Sequence, residues 1–121
     1  MSKILFTKSH EWVEFLDDTR ARVGISDYAQ NELGDLVFIS LPEEGDEVSV
    51  GETFADVESV KAVSNVYSPV SGTVKTVNED LLDQPELVNT DAMDAWFIEV
   101  ENINDKADLF TEEEYKKLIA E

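Results

Sequence analysis

The chain has 121 residues, with 28 Asp and Glu against 9 Lys and Arg and a formal net charge of −19. That length supports one modest core and leaves no room for a large catalytic domain beside a second module. The charge argues against nucleic acid or an anionic membrane as partner, since both need cationic contacts, and it favours partners with basic faces; an acidic surface that simply keeps the chain soluble is the plainer alternative.

The N-terminal residues contain no long apolar run and no small-residue cleavage site, so no signal peptide is expected. No apolar stretch reaches the 18 or so residues that a membrane-crossing helix needs. The expected location is a cytoplasm, or the mitochondrial matrix if a presequence has been removed. Short runs rich in Val, Ile, Phe and Thr predict strands over residues 11–16, 20–24, 36–40, 53–59, 62–67, 73–77 and 96–100. Turn residues separate them at Asp17-Asp18, Pro42 through Asp46, Gly51, Ser68 through Gly72, and Asp83 through Pro85. This spacing predicts a mainly β sandwich or barrel.

Two segments depart from the strand pattern. Asp27 followed by Gln30 reads as a capping box. With Ala29, Leu33 and then Gly34 it predicts a short helix of roughly two turns. Thr111 and Glu114 form a second capping box, with Phe110 and Tyr115 set as a hydrophobic staple, so a terminal helix is expected over about 111–120, lying across the sandwich. A Pro–x–x–Gly spacing at Pro42–Gly45 recurs at Pro69–Gly72, compatible with two similar halves. The whole chain, 1–121, reads as a single domain.

Chemistry of the chain's own is hard to find. There is no cysteine, so there is no disulfide, no thiolate nucleophile and no zinc–cysteine site, and any sulfur redox chemistry must come from something attached. The one histidine, His10, has Glu11 beside it, but neighbours in a strand point to opposite faces, so a structural histidine is expected rather than a catalytic pair. No phosphate-binding glycine loop and no spacing for a catalytic metal is present.

Lys61 is the unusual residue. Between Val23 and Val74 it is the one basic side chain among ten acidic ones. Only Val60 and Lys61 separate two predicted strands, the length of a tight hairpin loop, yet neither is a residue that such loops favour. The hairpin must therefore be strained or less tight than a two-residue loop, and a local rule broken in this way points to function. An ordinary solvated lysine is the alternative. An amine at a hairpin tip can be reached by a modifying enzyme, and an amide formed there removes its charge and creates a long stem. A group so attached carries the chemistry, and the chain needs no catalytic residues.

The motif Glu58-Ser59-Val60-Lys61-Ala62 resembles the lipoylation motif of glycine cleavage H proteins. Ser9-His10-Glu11-Trp12-Val13 resembles the N-terminal signature of that family. Gly24-Ile25-Ser26-Asp27-Tyr28-Ala29-Gln30, Leu33-Gly34-Asp35, Leu41-Pro42-Glu43-Glu44-Gly45, Ser68-Pro69-Val70-Ser71-Gly72, Val77-Asn78, Pro85-Glu86-Leu87-Val88-Asn89 and Trp96 follow in the family's order, so the resemblance spans residues 5–120. It implies a barrel–sandwich hybrid of short antiparallel strands with a short internal helix and a C-terminal helix. It also implies a lipoyl hairpin at about 53–67, with lipoic acid held covalently as N6-lipoyl-lysine on Lys61.

The resemblance further implies a carrier and not an enzyme. A pyridoxal phosphate enzyme, glycine decarboxylase, would load the aminomethyl group of glycine onto the arm. A tetrahydrofolate enzyme, aminomethyltransferase, would unload it, and dihydrolipoamide dehydrogenase would reoxidise the dithiol. A lipoyl-attaching enzyme is the fourth partner, with Glu58 implied in its recognition of the hairpin. The loaded arm would fold into a cleft whose matching positions are Ser9, Glu11, Glu32 and Asn65. Glu32 stands where the family often has His, and Asn65 where it often has Asp, so charge is redistributed there. Glu11 and Glu58 read as solvated strand residues in the absence of these roles. Ala95 replaces an expected Gly in a turn. Gly34, Pro42, Gly45 and Gly72 read as turn formers, and Trp12 and Trp96 as packing. Biotinyl domains usually flank their lysine with Met, and 2-oxoacid dehydrogenase lipoyl domains usually precede it with Asp; Val60 and Ala62 fit neither. A lipoyl relay that donates its group to other enzymes, or an adaptor with an unmodified lysine, are the competing functions.

Overall fold

Alternation of apolar and polar residues sets the strands, because successive strand side chains point to opposite faces. The computed structural model describes residues 3–119. Its strands are β1 (Lys3–Phe6), β2 (Glu11–Phe15), β3 (Ala21–Ile25), β4 (Leu36–Ser40), β5 (Glu47–Val48), β6 (Thr53–Ser59), β7 (Val63–Tyr67), β8 (Val70–Val77) and β9 (Ile98–Lys106). Helix α1 (Asp27–Leu33) follows β3, α2 (Asp80–Asp83) and α3 (Leu87–Thr90) follow β8, and α4 (Glu112–Ile119) follows β9.

Two antiparallel sheets result. One has six strands in the order β1-β2-β3-β9-β8-β5, the other three in the order β4-β6-β7. Val13, Val23, Val74 and Ile98 from the first sheet pack with Ile39, Val57 and Val66 from the second in one continuous core. This is the mainly β sandwich that the strand spacing predicts. Trp12, Phe6 and Tyr115 form a separate cluster that holds α4 on β1. The helix therefore sits at the sheet's edge strand rather than across the sandwich. Its first turn is closed by the Thr111 Oγ1 bond from the Glu114 amide (3.2 Å) and the Glu114 Oε1 bond from the Thr111 amide (2.9 Å).

Several details differ from the sequence expectations. The N-cap of α1 is Ser26, whose Oγ accepts from the Ala29 amide at 3.1 Å; Asp27 instead accepts from the Gln30 side chain at 2.9 Å. The strand expected to end at 100 runs on to Lys106, through a polar stretch of low strand propensity. Register shifts in its pairing with β8 accommodate Asn102 at φ 56°. β1 and the two-residue β5 are edge strands of the six-stranded sheet, and α2 and α3 are single turns too short to show a helical period. The Pro–x–x–Gly echo is not a structural repeat. Gly45 is a turn residue at φ 93°, whereas Gly72 lies inside β8, where a Cβ would come within 2.6 Å of the Glu101 carbonyl oxygen.

Candidate functional site

The β6–β7 hairpin carries Lys61 at its tip. Ser59, the last residue of β6, closes the turn with both its backbone and its side chain. Its amide donates to the Ala62 carbonyl at 2.8 Å, and its Oγ accepts from the amides of Ala62 (3.0 Å) and Lys61 (3.3 Å). Serine hydroxyls substitute for ladder partners in this way. No residue from 59 to 62 takes positive φ. The turn is thus the less tight of the two expected forms, and β7 begins at Val63 rather than 62.

The tip is also held from outside. The Val60 amide donates to the Asp35 carbonyl at 3.0 Å, tying the hairpin to the turn between α1 and β4. That turn is fixed by Asn89, whose Nδ2 donates to the Gly34 carbonyl and to Gln30 Oε1 (both 2.9 Å) and whose Oδ1 accepts from the Leu36 amide (2.8 Å). Gly34 ends α1 at φ 84°, and a Cβ there would lie 3.7 Å from Lys61 Cε, so the lysine stem runs beside the end of the helix. Lys61 is exposed and makes no ion pair among the described residues. Replacing Asn89 with Ala removes all three bonds. The expected cost is about 1–3 kcal/mol, since partly buried groups lose their partners. Amide exchange at Val60 and Leu36 should quicken in step; unchanged protection there would contradict the clamp.

Ser9 and Glu11 form a second group, at the start of β2. Glu11 is only 2% exposed, so it is not a solvated strand residue. Its Oε1 accepts from Thr7 Oγ1 (2.7 Å) and Ser9 Oγ (2.6 Å), and its Oε2 from the Tyr67 amide (3.4 Å). Burial pushes its carboxyl above the ordinary range, against the pull of these donors. A groove of about 380 Å³ opens over the pair, lined also by Val50, Tyr67, Ser68 and Lys106. The raised carboxyl makes a pH prediction. The native state keeps its proton at pH values where the unfolded group, near 4.5, has lost it. Stability contributed by Glu11 is therefore lost as pH rises from about 4.5 through the native value. The stability of the wild type minus that of Glu11→Gln should fall across that window in urea titrations; a flat or rising difference would contradict it.

Strand β7 joins the two groups. Val63, Asn65 and Tyr67 alternate onto its exposed face, so Asn65 stands midway between the tip and the groove. Tyr67 lies four strand steps beyond Val63, about 13 Å. Asn65 is exposed opposite Asp56. Glu32 is on α1, where it is exposed, accepts from the Tyr28 hydroxyl and raises that phenol. Its charge opposes the lowering of His10 by burial. His10 itself is a turn residue at φ 76°, outside the strand, so the opposite-faces argument does not apply to it. Its Nδ1 bonds the Tyr115 hydroxyl at 2.8 Å, and that hydroxyl bonds Ser26 Oγ at 2.7 Å. The histidine is structural, satisfied by a side chain. Glu58 is exposed on β6 between Phe38 and Val63. The two tryptophans pack: Trp12 is buried, with Nε1 on the Ala92 carbonyl at 3.0 Å, and Arg22 lies 5.1 Å over the half-buried Trp96 ring. Ala95 needs no positive φ in its turn.

Sequence reasoning did not single out Ser59, Asp35 or Asn89, which fix the tip. The signal for Ser59 lay in its position, a hydroxyl directly before a loop without turn residues; Asp35 acts through its carbonyl, which no side-chain pattern reveals. Among the described residues no cluster of His, Asp and Glu is arranged to hold a metal, and no helix is long and apolar enough to cross a membrane.

The family model of the glycine cleavage H-protein matches residues 4–121. The chain belongs to the glycine cleavage H-protein family. A glycine cleavage system H protein of Lachnoclostridium phytofermentans is 52% identical over 119 residues, covering 98% of this chain and 94% of that one. A probable glycine cleavage system H protein of Thermococcus kodakarensis is 52% identical over 116 residues, covering 96% and 82%. The crystal structure of a glycine cleavage system H protein from Mycobacterium marinum superposes with a TM-score of 0.92 at 36% identity, covering 98% of both chains. A glycine cleavage H protein is a lipoyl carrier, a component of a multienzyme system and not itself a catalyst.

Proposed function

We propose that Lys61 is the lipoyl attachment site, and that the arm shuttles the aminomethyl group of glycine between glycine decarboxylase, aminomethyltransferase and dihydrolipoamide dehydrogenase. The observation that carries this reading is the state of Lys61. It is an exposed amine without an ion pair among the described residues, on a tip held by Ser59 from within and by Asp35 from outside. A lipoyl group there supplies a redox-active disulfide that the chain, lacking cysteine, does not have.

The chain's own residues supply position and shelter. Ser59 and the Asn89-braced turn hold the base of the arm, which lowers the entropy lost when a partner engages it. Val63, Asn65 and Tyr67 offer a path along β7, and the groove over Ser9 and Glu11 supports a resting place at its end. Glu11 sits there with its oxygens already engaged by Thr7, Ser9 and the Tyr67 amide, a pre-ordered acceptor for a cationic amine. Bacterial and archaeal relatives support a cytoplasmic location over a mitochondrial one. The test is a reconstituted glycine–bicarbonate exchange with glycine decarboxylase and the lipoylated protein. Exchange that saturates with this protein is expected; a lipoylated protein that supports no exchange, yet passes its lipoyl group to other carriers, would overturn the shuttle in favour of the relay.

A further inference from the structure

Thr7 lies outside the sequence motifs, yet it is buried with Glu11 and bonded to it three ways. Its hydroxyl accepts from the Glu11 amide at 3.1 Å and donates to Glu11 Oε1 at 2.7 Å, and its own amide donates to the Glu11 carbonyl at 2.9 Å. His10, at φ 76°, closes the turn between them, its amide donating to the Thr7 carbonyl at 3.2 Å. Ser9 Oγ donates to the same Oε1 at 2.6 Å. The two carboxyl oxygens of Glu11 therefore differ. Oε1 holds two short hydroxyl bonds. Oε2 has one long contact, with the Tyr67 amide at 3.4 Å, and keeps room for a further partner. Tyr67 also lines the groove. A carboxylate buried without a cation is costly, so the empty groove favours the neutral acid, with its proton on Oε2. The other titratable groups about the carboxyl are Lys8 and His10 on the same turn, Lys106 at the end of β9, Asp108 beyond it and Tyr115 of α4; none of them bonds it.

We propose that Thr7 is a positioning residue for the loaded arm: with Ser9 it fixes Oε1, so that the cationic amine meets Oε2 and takes the place of the proton there. The inference rests on the arm being carried by Lys61 and resting in this groove. Docking releases one proton to solvent, and the amine supplies the charge that the buried carboxylate lacks. An arm without the aminomethyl group is neutral and displaces no proton, so the groove separates loaded from unloaded arms by charge. Docking also protects the adduct. Loss begins when the nitrogen lone pair forms a C=N bond and the electron pair of the C–S bond leaves on sulfur; water then converts the iminium to formaldehyde and ammonium. A protonated amine has no lone pair to begin this. The Thr7 donor favours the charged carboxylate and so extends docking to lower pH.

The test uses wild type, Thr7→Val, Thr7→Ser and Glu11→Gln, each lipoylated with lipoate, ATP and a lipoate ligase, reduced, and loaded with formaldehyde and ammonia by reversal of the loss. Intact mass follows the aminomethyl group from acid to mildly alkaline pH, and thermal melts check folding. Thr7→Val keeps the shape and removes the hydroxyl. It should lose the group about tenfold faster than wild type at the acid end, the equivalent of one pH unit in the carboxyl. The two should converge as pH rises and Glu11 ionises in both. Thr7→Ser should restore the wild-type profile, and Glu11→Gln should lose the group fast throughout. On the wild type itself, the infrared band of a protonated carboxyl, identified by its absence from Glu11→Gln, should be present with the unloaded arm and vanish on loading. A ratio of Thr7→Val to wild type that does not vary with pH overturns the role of Thr7, as does a Thr7→Ser that matches Thr7→Val. A carboxyl band that persists on loading overturns the proton exchange. A Glu11→Gln that keeps the group as long as wild type overturns the resting place, and the inference with it; a wild type that takes up no lipoyl group overturns the arm itself.

Discussion

Lys61→Arg should abolish glycine–bicarbonate exchange, lowering it at least about a thousandfold, as expected when the group that carries the chemistry is absent. Arginine keeps the charge and most of the length of lysine, and at this exposed tip it disturbs nothing that Ser59, Asp35 and Asn89 hold. Its guanidinium stays protonated and is no nucleophile toward an acyl donor. The substitution therefore separates the amine's chemistry from its electrostatics. The melting temperature of the variant should match the wild type. Exchange that survives in Lys61→Arg would instead support an adaptor whose lysine is never modified.

Trp12→Ala should cost about 3–5 kcal/mol, the range for emptying a buried aromatic site. Trp12 is 1% exposed, fills the cluster under α4 with Phe6 and Tyr115, and satisfies the Ala92 carbonyl. The space cannot readily collapse, since Gly24 already lies against the indole, where even a Cβ would come within 2.7 Å. Domains of this size are stable by only about 5–15 kcal/mol, so much of the margin goes. The melting temperature should fall by roughly 10–25 °C. Trp96→Ala, which removes a half-buried ring beneath Arg22, should lower it far less. Equal losses for the two would contradict the assignment of Trp12 to the core and Trp96 to the rim. The effect also bears on the site, because Trp12 follows Glu11 on β2 and loosening it unseats the groove.

What the sequence revealed follows from the range of each interaction. Val and Ile alternation exposed most of the strands, because burial on one face writes a period of two into the chain. Lys61 stood out because it interrupts an acidic stretch at a loop that lacks turn residues. The α1 cap was misplaced by one residue, since Asp27 and Ser26 are both good caps and only the backbone of Ser26, at φ −73° and ψ 164°, decides between them. Glu11 looked solvated because its strand context is polar on that side. Its burial depends on Thr7 and Ser9 folding back from the preceding turn, and on Tyr67, 56 residues away. The Asn89 clamp was equally hidden, since its partners lie 53 to 59 residues upstream. The polar half of β9 has low strand propensity and is held by its pairing to β8, by the Ile103 amide donating to the Thr19 carbonyl at 3.0 Å and by Ile103 packing on the core.

The decisive measurement is the intact mass of the protein after incubation with lipoate, ATP and a lipoate ligase, followed by fragmentation to locate the added group, with Lys61→Arg treated identically. One lipoyl group per chain, found on Lys61 and missing from the variant, is the predicted result. A lipoyl group on another lysine, or none on the wild type, would contradict the carrier site assigned to the hairpin tip.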